Sequence, residues 1–493
     1  MAGKRNLLLA LDIGTTSCKG AVYQVDGSLM AEASYSYSVQ RPNELWVEQK
    51  PQDWWLGVSE VCQHLLQQVA AEDIAGIGLS GQVPTMLLID KEGEPLNSAI
   101  TWQDRRAEAE AKWLNEHIGQ QQLTDWLGLE LPLDAGWPPA RLLWWSRHQP
   151  ELIARAQAVL MAKDFILFKL TGRICSDAWS SKGIVHLLTG EAPSEYYDAL
   201  NIPVAIAPEI LAPYTVAGKV SAEASASIGL EKGTPVITGW SDALCGMAGT
   251  GSFQKSKIAF NLTGTSEIIG CSDVKPSPGL LHIPADVTDG IDILYGPTQS
   301  GGDSLVWLAE WTNSEIEQLI AAAAEVPPYE CNLIFLPYLN GERAPIWDSD
   351  ARGAFLGLLR SHELGHASRA VMEGVAMSVR HILETCQIFP SETQIVRAAG
   401  GGTRSHVWNQ IRADVLGMTL EVVAQHNATT LGAAMLAAVG TGFYSDLSEA
   451  AAMVDVENVY FPSSQLRDHY DQLYKQFRTA YPVLKTVFTP VVN

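Results

Sequence analysis

The chain contains 493 residues, of which 47% are hydrophobic and 18% are charged. This length exceeds one ordinary core, so we expect two or three globular domains. The formal net charge of −22 argues against duplex nucleic acid or an anionic membrane surface as a partner. The seven cysteines show no Cys-x-x-Cys spacing, which argues against a disulfide or zinc framework and favours the cytoplasm.

Apolar segments alternate in a way that predicts an α/β fold with mixed sheets. The strands predicted in chain order cover residues 7–11, 20–24, 74–79, 86–89, 236–238, 333–336 and 395–398, with a strand–loop unit at 258–270. The predicted helices cover residues 105–117, 304–311, 363–386, 406–416 and 430–439. A glycine-rich joint at 249–252 divides the chain into predicted domains over 1–251 and 252–493. No apolar run approaches the ~18 residues of a membrane span, and the amino-terminal one is shorter than a signal-peptide core.

Two glycine–threonine turns follow predicted strands, one in each half of the chain. The first reads DIGTTSCK from Asp12, and the second reads NLTGTS from Asn261. Such turns expose backbone N–H groups and small hydroxyls, which can hold an anion. A plain β-turn explains either one alone. The pair favours two similar domains that bind a polyphosphate.

Two aspartates lie at the ends of predicted strands. Asp242, in GWSDALCG, could take a proton from a substrate hydroxyl. Its local alternative is to cap the following helix. Asp12, beside the first turn, could contact Mg²⁺ indirectly, through a water molecule. Its alternative role is to stabilise the turn by bonding to its own backbone.

Other motifs point to nucleotide and polyol binding. The sequence GGGTRS at 400–405 lets a flat ring or phosphate approach the backbone, although a tight strand–helix turn is the alternative. Trp102, Asp104 and the segment Gln82-Val83-Pro84 could line a polyol pocket, with core packing as the alternative for Trp102. The chain has neither a Walker sequence nor a Gly-x-Ser-x-Gly elbow.

In order along the chain, these motifs resemble the FGGY family of carbohydrate kinases, most closely its xylulokinase-like branch. The resemblance covers residues 5–445 through LALDIGTTSCKG, WVEQKPQDWW, GIGLSGQ, ITWQDRR, MAKDFILFKLTG, GWSDALCG, LTGTSEI, FLPYLNGERAPIWD, RGAFLGLL, RAVMEGVA and AAGGGTRSHVWNQIRADVLG. It implies two actin-like (ribonuclease-H-like) domains with a catalytic cleft between them. The N-terminal domain would carry the sugar site, and the C-terminal domain the ATP site.

The resemblance also implies roles for single positions. Asp242 matches the catalytic base, and Asp12 the second catalytic carboxylate, which meets Mg²⁺ through water. The implied ATP contacts are Thr15, Thr16, Lys19, Gly264, Thr265, Gly302, Gly401, Gly402 and Ser405. The implied sugar contacts are Gln82, Val83, Pro84, Trp102, Asp104 and Asp242. Trp137, in the nearby loop 134–137, is a further candidate sugar contact that the sequence offers.

The implied reaction is phosphorylation of a sugar hydroxyl by Mg-ATP, with a ketopentose such as xylulose as acceptor. The chain departs from this branch at Val83-Pro84, which replaces Met-His, and at Ala243, which replaces Asn. Because polar contacts decide specificity, another ketose, a polyol or an aldonate such as gluconate is an alternative acceptor. A phosphatase or ATPase on the same scaffold and a catalytically silent sugar sensor are further alternatives. We expect sugar and ATP or ADP as partners, and a homodimer is one alternative for the assembly.

Overall fold

The computed structural model describes residues 5–131, 134–254, 258–288, 290–425 and 427–488, with the side chains of 392 and 393 left out. These residues form two compact units, one from Met1–Gly249 with Thr429–Met453 and the other from Thr250–Ala428 with Val454–Asn493. None of the described helices is both long enough and apolar enough to cross a bilayer.

The chain up to Gly249 alternates strands and helices. Its strands are β1 (Leu7–Ile13), β2 (Ser17–Gln24), β3 (Leu29–Ser36), β4 (Glu48–Gln49), β5 (Ile74–Gly81), β6 (Met86–Ile89), β7 (Ala99–Ile100), β8 (Ala158–Met161), β9 (Cys175–Ser176), β10 (Glu209–Ile210), β11 (Val216–Lys219), β12 (Pro235–Ile237) and β13 (Trp240–Ser241). Its helices are α1 (Pro51–Leu65), α2 (Glu108–His117), α3 (Gln120–Leu127), α4 (Pro138–His148), α5 (Pro150–Arg155), α6 (Ala162–Thr171), α7 (Ser194–Leu200), α8 (Ala222–Ile228) and α9 (Asp242–Ala248).

The rest of the chain repeats this alternation. Its strands are β14 (Ala259–Thr263), β15 (Glu267–Ser272), β16 (Leu281–Ile283), β17 (Ile293–Pro297), β18 (Ile334–Leu336), β19 (Ala354–Leu356), β20 (Ser391–Gly400), β21 (Met418–Val423) and β22 (Val456–Tyr460). Its helices are α10 (Asp303–Thr312), α11 (Ile316–Ala324), α12 (Leu364–Thr385), α13 (His406–Leu416), α14 (Ala428–Gly440), α15 (Leu447–Ala450) and α16 (Arg467–Leu484).

The main sheets of the two units follow the same path. In the first unit the strand order is β11-β12-β5-β1-β2-β3, with β13 also paired to β5. In the second unit the order is β16-β17-β15-β14-β20-β21-β22. In each sheet an antiparallel meander of three strands precedes a crossover, because β1 pairs in parallel with β5 and β14 with β20. The predicted α/β class with mixed sheets is therefore confirmed, and so is the repetition between the two halves.

The predicted elements are all present, with their ends displaced by four residues at most, at the start of β20. The segment 86–89 coincides with β6, and 406–416 with α13. Among the helices the largest displacement is at α2, which begins at Glu108 because Asp104 holds the preceding chain in a turn by accepting from the backbone N–H of Arg106 at 2.9 Å. Strand β1 is buried at every position, as expected for a central strand that reads as a continuous apolar run.

The segment Thr429–Met453 belongs to the first unit, although the predicted division at 251 assigns it to the second half. Helix α14 packs directly against the backbone of β5 and α9. A Cβ on Gly78 would lie 1.9 Å from the carbonyl oxygen of Ala433, and one on Gly432 would lie 1.8 Å from that of Cys245. Only glycine permits so close an approach of two backbones.

We expect Gly78→Ala to lower the free energy of unfolding by about 1–3 kcal/mol, because the new methyl must push α14 away from β5. Gly401→Ala is the matched control, since a Cβ there meets no described atom within 4 Å. Urea unfolding of both variants checks this expectation. Equal stability of the two would contradict the packing of α14 described above.

Candidate active site

Three strands end at one edge of the first sheet. Asp12 of β1 pairs with Ser80 of β5, and Trp240 of β13 pairs with Ser80 from the other side. Asp242 follows β13 directly as the first residue of α9. The register therefore brings Asp12 and Asp242 to the same edge of the sheet, on opposite sides of β5.

Asp242 begins its helix but does not cap it. The N-cap of α9 is Ser241, whose Oγ accepts from the backbone N–H of Leu244 at 3.4 Å. Oδ1 of the half-buried Asp242 accepts from the backbone N–H of Ala243 at 2.7 Å. Burial and then the nearby Asp12 raise the pKa of Asp242 to about 7. A carboxylate with such a pKa is matched to general-base chemistry near neutral pH.

Asp12 is a buried carboxylate next to the first glycine–threonine turn. Its Oδ1 accepts from Ser80 Oγ at 3.0 Å. Burial raises the pKa of Asp12, and the positive charge of Lys19 opposes this rise. No group of three or more His, Cys, Asp or Glu side chains suited to a metal ion occurs among the described residues. A metal ion at Asp12 would therefore take most of its ligands from water and substrate.

The first glycine–threonine turn is held by its carbonyl groups. Tyr37 Oη donates to the carbonyl oxygen of Gly14 at 2.7 Å, and Gln49 Nε2 donates to that of Thr15 at 2.6 Å. Thr16 and Lys19 are exposed, and Thr15 is half-buried. The hydrogen bonds to the turn therefore leave the three predicted phosphate contacts Thr15, Thr16 and Lys19 accessible.

Gln82 supports this turn and does not present its amide to a ligand. The side chain is buried, and Nε2 donates to the carbonyl oxygen of Gly14 at 3.1 Å and to Gln49 Oε1 at 2.6 Å. Its Oε1 accepts from Thr85 Oγ1 at 3.1 Å. Both N–H donors are thus used within the protein. The sequence predicts a sugar contact here, whereas the structure gives Gln82 a positioning role behind the turn.

Asp104 also differs from the predicted sugar contact. Its carboxylate is buried, accepting from the backbone N–H of Val47 at 2.6 Å and forming an ion pair with Arg106 at 2.8 Å. The Arg106 guanidinium in turn lies 3.9 Å from the centroid of the Trp46 ring. Asp104 therefore orders the chain on either side of Trp102, and its carboxylate is bonded within the protein.

The remaining predicted sugar contacts are mostly accessible. Trp102 is 45% exposed, which excludes core packing, and its Nε1 donates to Thr15 Oγ1 at 3.0 Å. Val83 and Trp137 are half-buried, whereas Pro84 is buried. Trp102 also lines a groove of about 490 Å³ together with the segment 134–136 and residues of α2. This groove combines the Trp102 ring with polar side chains such as Gln103 and Asp134.

Sequence reasoning missed Arg141, which joins three segments around this groove. Its buried guanidinium donates to the carbonyl oxygens of Pro84 at 2.8 Å, Thr101 at 2.6 Å and Ala135 at 3.2 Å. Burial lowers the pKa of Arg141 to about 10. The sequence feature that could have indicated this role is an arginine inside the apolar helical sequence PPARLLWW.

Lys182 was also missed. This side chain is buried, and its ring neighbours are Trp137 and Trp179. Its charge acts on Asp242, where it opposes the rise in pKa that burial causes. Lys182 therefore belongs to the same site as the candidate base, although nothing in its local sequence indicated burial.

In the second unit, the predicted nucleotide residues meet at one edge of the sheet. Thr263 of β14 pairs with Gly400 of β20, so the turns that follow both strands are neighbours. The backbone N–H of Gly302 donates to the carbonyl oxygen of Gly264 at 2.8 Å. Gly264, Thr265 and Gly401 are exposed there. The structure thus brings together the glycines that the sequence predicts to contact ATP.

A buried ion pair fixes these turns from behind. Arg412 Nη2 lies 2.7 Å from Glu267 Oε1, and Nη1 donates to the carbonyl oxygen of Gly402 at 2.9 Å. Sequence reasoning missed both residues of the pair. Ser405, a predicted ATP contact, is the N-cap of α13, and its Oγ accepts from the backbone N–H of Trp408 at 3.2 Å.

Known proteins are similar to this chain over most of its length. The models of the N-terminal and C-terminal domains of the FGGY family of carbohydrate kinases match residues 7–249 and 261–441. The chain is 28% identical to the xylulose kinase of Bacillus subtilis (strain 168) over 491 residues, which is 98% of either protein.

Two solved structures from Lactobacillus acidophilus each match with a TM-score of 0.86 and 28% identity. They are a gluconate kinase, with 97% of this chain and 98% of that chain covered, and a ligand-bound xylulose kinase, with 98% and 99% covered. The expected pair of actin-like domains is confirmed by these matches. The chain belongs to the FGGY family of carbohydrate kinases.

Proposed function

We propose that this carbohydrate kinase transfers the γ-phosphoryl group of ATP to a terminal hydroxyl of an open-chain sugar, with Asp242 as the general base. The observation that carries the proposal is the half-buried Asp242 carboxylate, with a pKa of about 7, at the strand ends beside a glycine–threonine turn. Among the similar proteins are xylulose and gluconate kinases. They support an acceptor of that size, and a ketopentose such as xylulose is the first to test.

In the proposed reaction, Asp242 accepts the proton of the acceptor hydroxyl. The hydroxyl oxygen bonds to the γ-phosphorus, and the bond from that phosphorus to the bridging oxygen of ADP breaks. Thr15, Thr16 and Lys19 would contact phosphate from the first unit. Gly264, Thr265, Gly302, Gly401 and Gly402 would contact the nucleotide from the second unit, with Ser405 holding the start of α13.

Asp12 fits a water-mediated contact to Mg²⁺. Mg²⁺ retains several waters and uses one or two carboxylates together with substrate phosphates, which suits a single buried carboxylate beside the turn. When bound, the ion would neutralise charge on the phosphates. Ser80, which donates to Asp12 Oδ1, would keep the carboxylate in place.

The acceptor would pack against aromatic and apolar side chains. Trp102 and Trp137 offer ring faces suited to the carbon chain of a sugar, and Val83 adds an aliphatic surface. Gln82 and Asp104 would act from behind this surface.

All seven cysteines are free and buried, which supports the predicted reducing cytoplasm. The homodimer stays a prediction that light scattering would check.

We expect Asp242→Asn to lower kcat by at least ~10²-fold, because the amide cannot accept the hydroxyl proton. Nucleotide affinity, measured by calorimetry, should stay near that of the wild type. The control is Ser241→Ala, which removes the real N-cap at a cost of about 1 kcal/mol in stability. An Asp242→Asn enzyme that turns over like the Ser241→Ala enzyme would exclude Asp242 as the base.

The pH dependence should report the ionisation of Asp242. Because its pKa is raised to about 7, we expect kcat/KM to be level above that pH and to fall tenfold per unit well below it. The folded protein then binds a proton more tightly than the unfolded chain between about pH 4 and 7. Stability from this group is therefore lost as pH rises through that range.

Asp242→Asn should consequently gain stability relative to the wild type at pH 8, and the gain should disappear near pH 4. Comparing the two proteins at each pH cancels the contributions of Glu342 and Glu373, whose pKa values are also raised to about 7 by burial. Thermal unfolding across pH measures the difference. A difference that does not change with pH would show that the Asp242 pKa is not raised.

We expect Gly401→Val to weaken ATP binding strongly, with sugar affinity and thermal stability little changed. A Cβ at Gly401 meets no described atom within 4 Å, so the added methyls point into space left for a ligand. Gly401→Ala should give an intermediate effect. Calorimetry with each substrate separates the possibilities, and equal loss of sugar and ATP binding would mean that the glycine shapes the fold.

A further inference from the structure

Lys182 is a buried cation without an anionic partner. Its side chain is 7% exposed, and Nζ donates to the carbonyl oxygen of Trp179 at 3.2 Å. Within the described part of the chain, no carboxylate oxygen lies within 4 Å of this nitrogen. An ammonium has three donors and is costly to bury unless it is paired. The protein therefore keeps a charge here that its own side chains do not neutralise.

Lys163 is a buried lysine of the same unit that, unlike Lys182, forms ion pairs. Its Nζ lies 2.6 Å from Asp164 Oδ1 and 2.9 Å from Asp177 Oδ1. For Lys163 the two carboxylates outweigh burial and raise the pKa, whereas for Lys182 burial dominates and lowers the pKa to about 8. Asp177 and Asp242 oppose that decrease without reaching ion-pair distance.

The surroundings of Lys182 place it in the acceptor site. Nζ lies 4.7 Å from the centroid of the Trp179 ring and 5.6 Å from that of Trp137. Trp137 is one of the predicted sugar contacts, and the charge of Lys182 acts on the candidate base Asp242. Lys182 and Asp242 are therefore close enough for their charges to interact.

Several of the predicted sugar contacts offer a substrate no free side-chain hydrogen bond. Gln82 and Asp104 are bonded within the protein, and Val83 and Ala243 contribute no side-chain hydrogen bond. An unpaired buried cation in such a site favours an anionic acceptor, because the empty partner position costs most when the acceptor is neutral.

We propose that Lys182 is the specificity-determining residue of the acceptor site and binds the carboxylate of a short polyhydroxy acid. This inference rests on the proposed function, since the terminal hydroxyl of the same molecule would be the group phosphorylated with Asp242 as base. Trp137 and Trp179 flank the ammonium and cover the ion pair that the acid completes.

The test compares matched acids and polyols, D-gluconate with D-glucitol and D-xylonate with xylitol, together with D-xylulose. For the wild type we expect kcat/KM at least ~10²-fold higher for each acid than for its polyol, and tighter acid binding by calorimetry. Lys182→Met should lose that preference, because KM should rise far more for the acids than for the polyols. Lys182→Arg should keep part of it, because the charge remains.

Stability measurements separate recognition from folding. Lys182→Met removes an unpaired buried charge and should unfold at or above the wild-type temperature. Lys163→Met, the matched control, leaves two buried carboxylates unpaired and should unfold at a clearly lower temperature. If Lys182→Met does not fold, calorimetry with the Lys182→Arg and Lys182→Gln proteins provides the comparison.

Absence of acid binding by the wild type, or equal loss for acids and polyols in Lys182→Met, would overturn the proposal. Asp242-dependent phosphorylation of D-xylulose alongside that result would leave the proposed function standing. Acid binding that depends on Lys182 without turnover of any acceptor would support the anion site and would count against the kinase reaction instead.

Discussion

In each unit, a central strand pairs in parallel with a strand far along the chain, and the placement of every candidate residue depends on that pairing. Parallel strands end at the same edge, so the turn after β1 meets the one after β5, and the turn after β14 meets the one after β20. This edge exposes backbone N–H groups from two turns at once. In the proposed function, a glycine–threonine turn that is uninformative alone thereby becomes part of a phosphate site.

Behind each edge, buried side chains keep the turns in place. In the first unit Gln82 and Gln49 hold the carbonyl groups of the turn, and in the second unit the ion pair of Arg412 with Glu267 does the same work. Because these polar atoms are satisfied inside the protein, they support the ligand-facing groups without contacting a ligand. Two titratable side chains near the edge of the first sheet, Asp242 and Lys182, are not used in this way and are poorly paired. Poorly paired titratable groups are typical of sites where function opposes stability.

Much of the fold could be predicted from the sequence, because central strands such as β1 are continuous apolar runs and α13 has clear helical periodicity. The sequence indicated Asp242 as a candidate base, but only the structure shows that Ser241, and not Asp242, caps the helix. The roles of Gln82 and Asp104 depend on distant partners, Gln49 and Arg106. Local sequence could not show that these partners use up the amide and the carboxylate. The place of 429–453 in the first unit likewise depends on long-range packing at Gly78.

The most direct measurement is a crystal structure of the enzyme with a non-hydrolysable ATP analogue and the acceptor that it phosphorylates best. We expect a terminal hydroxyl oxygen of the acceptor within about 3 Å of the Asp242 carboxylate, the reach of a general base. An acceptor bound with its reacting hydroxyl away from Asp242 would contradict the assignment of this edge of the first sheet as the catalytic site.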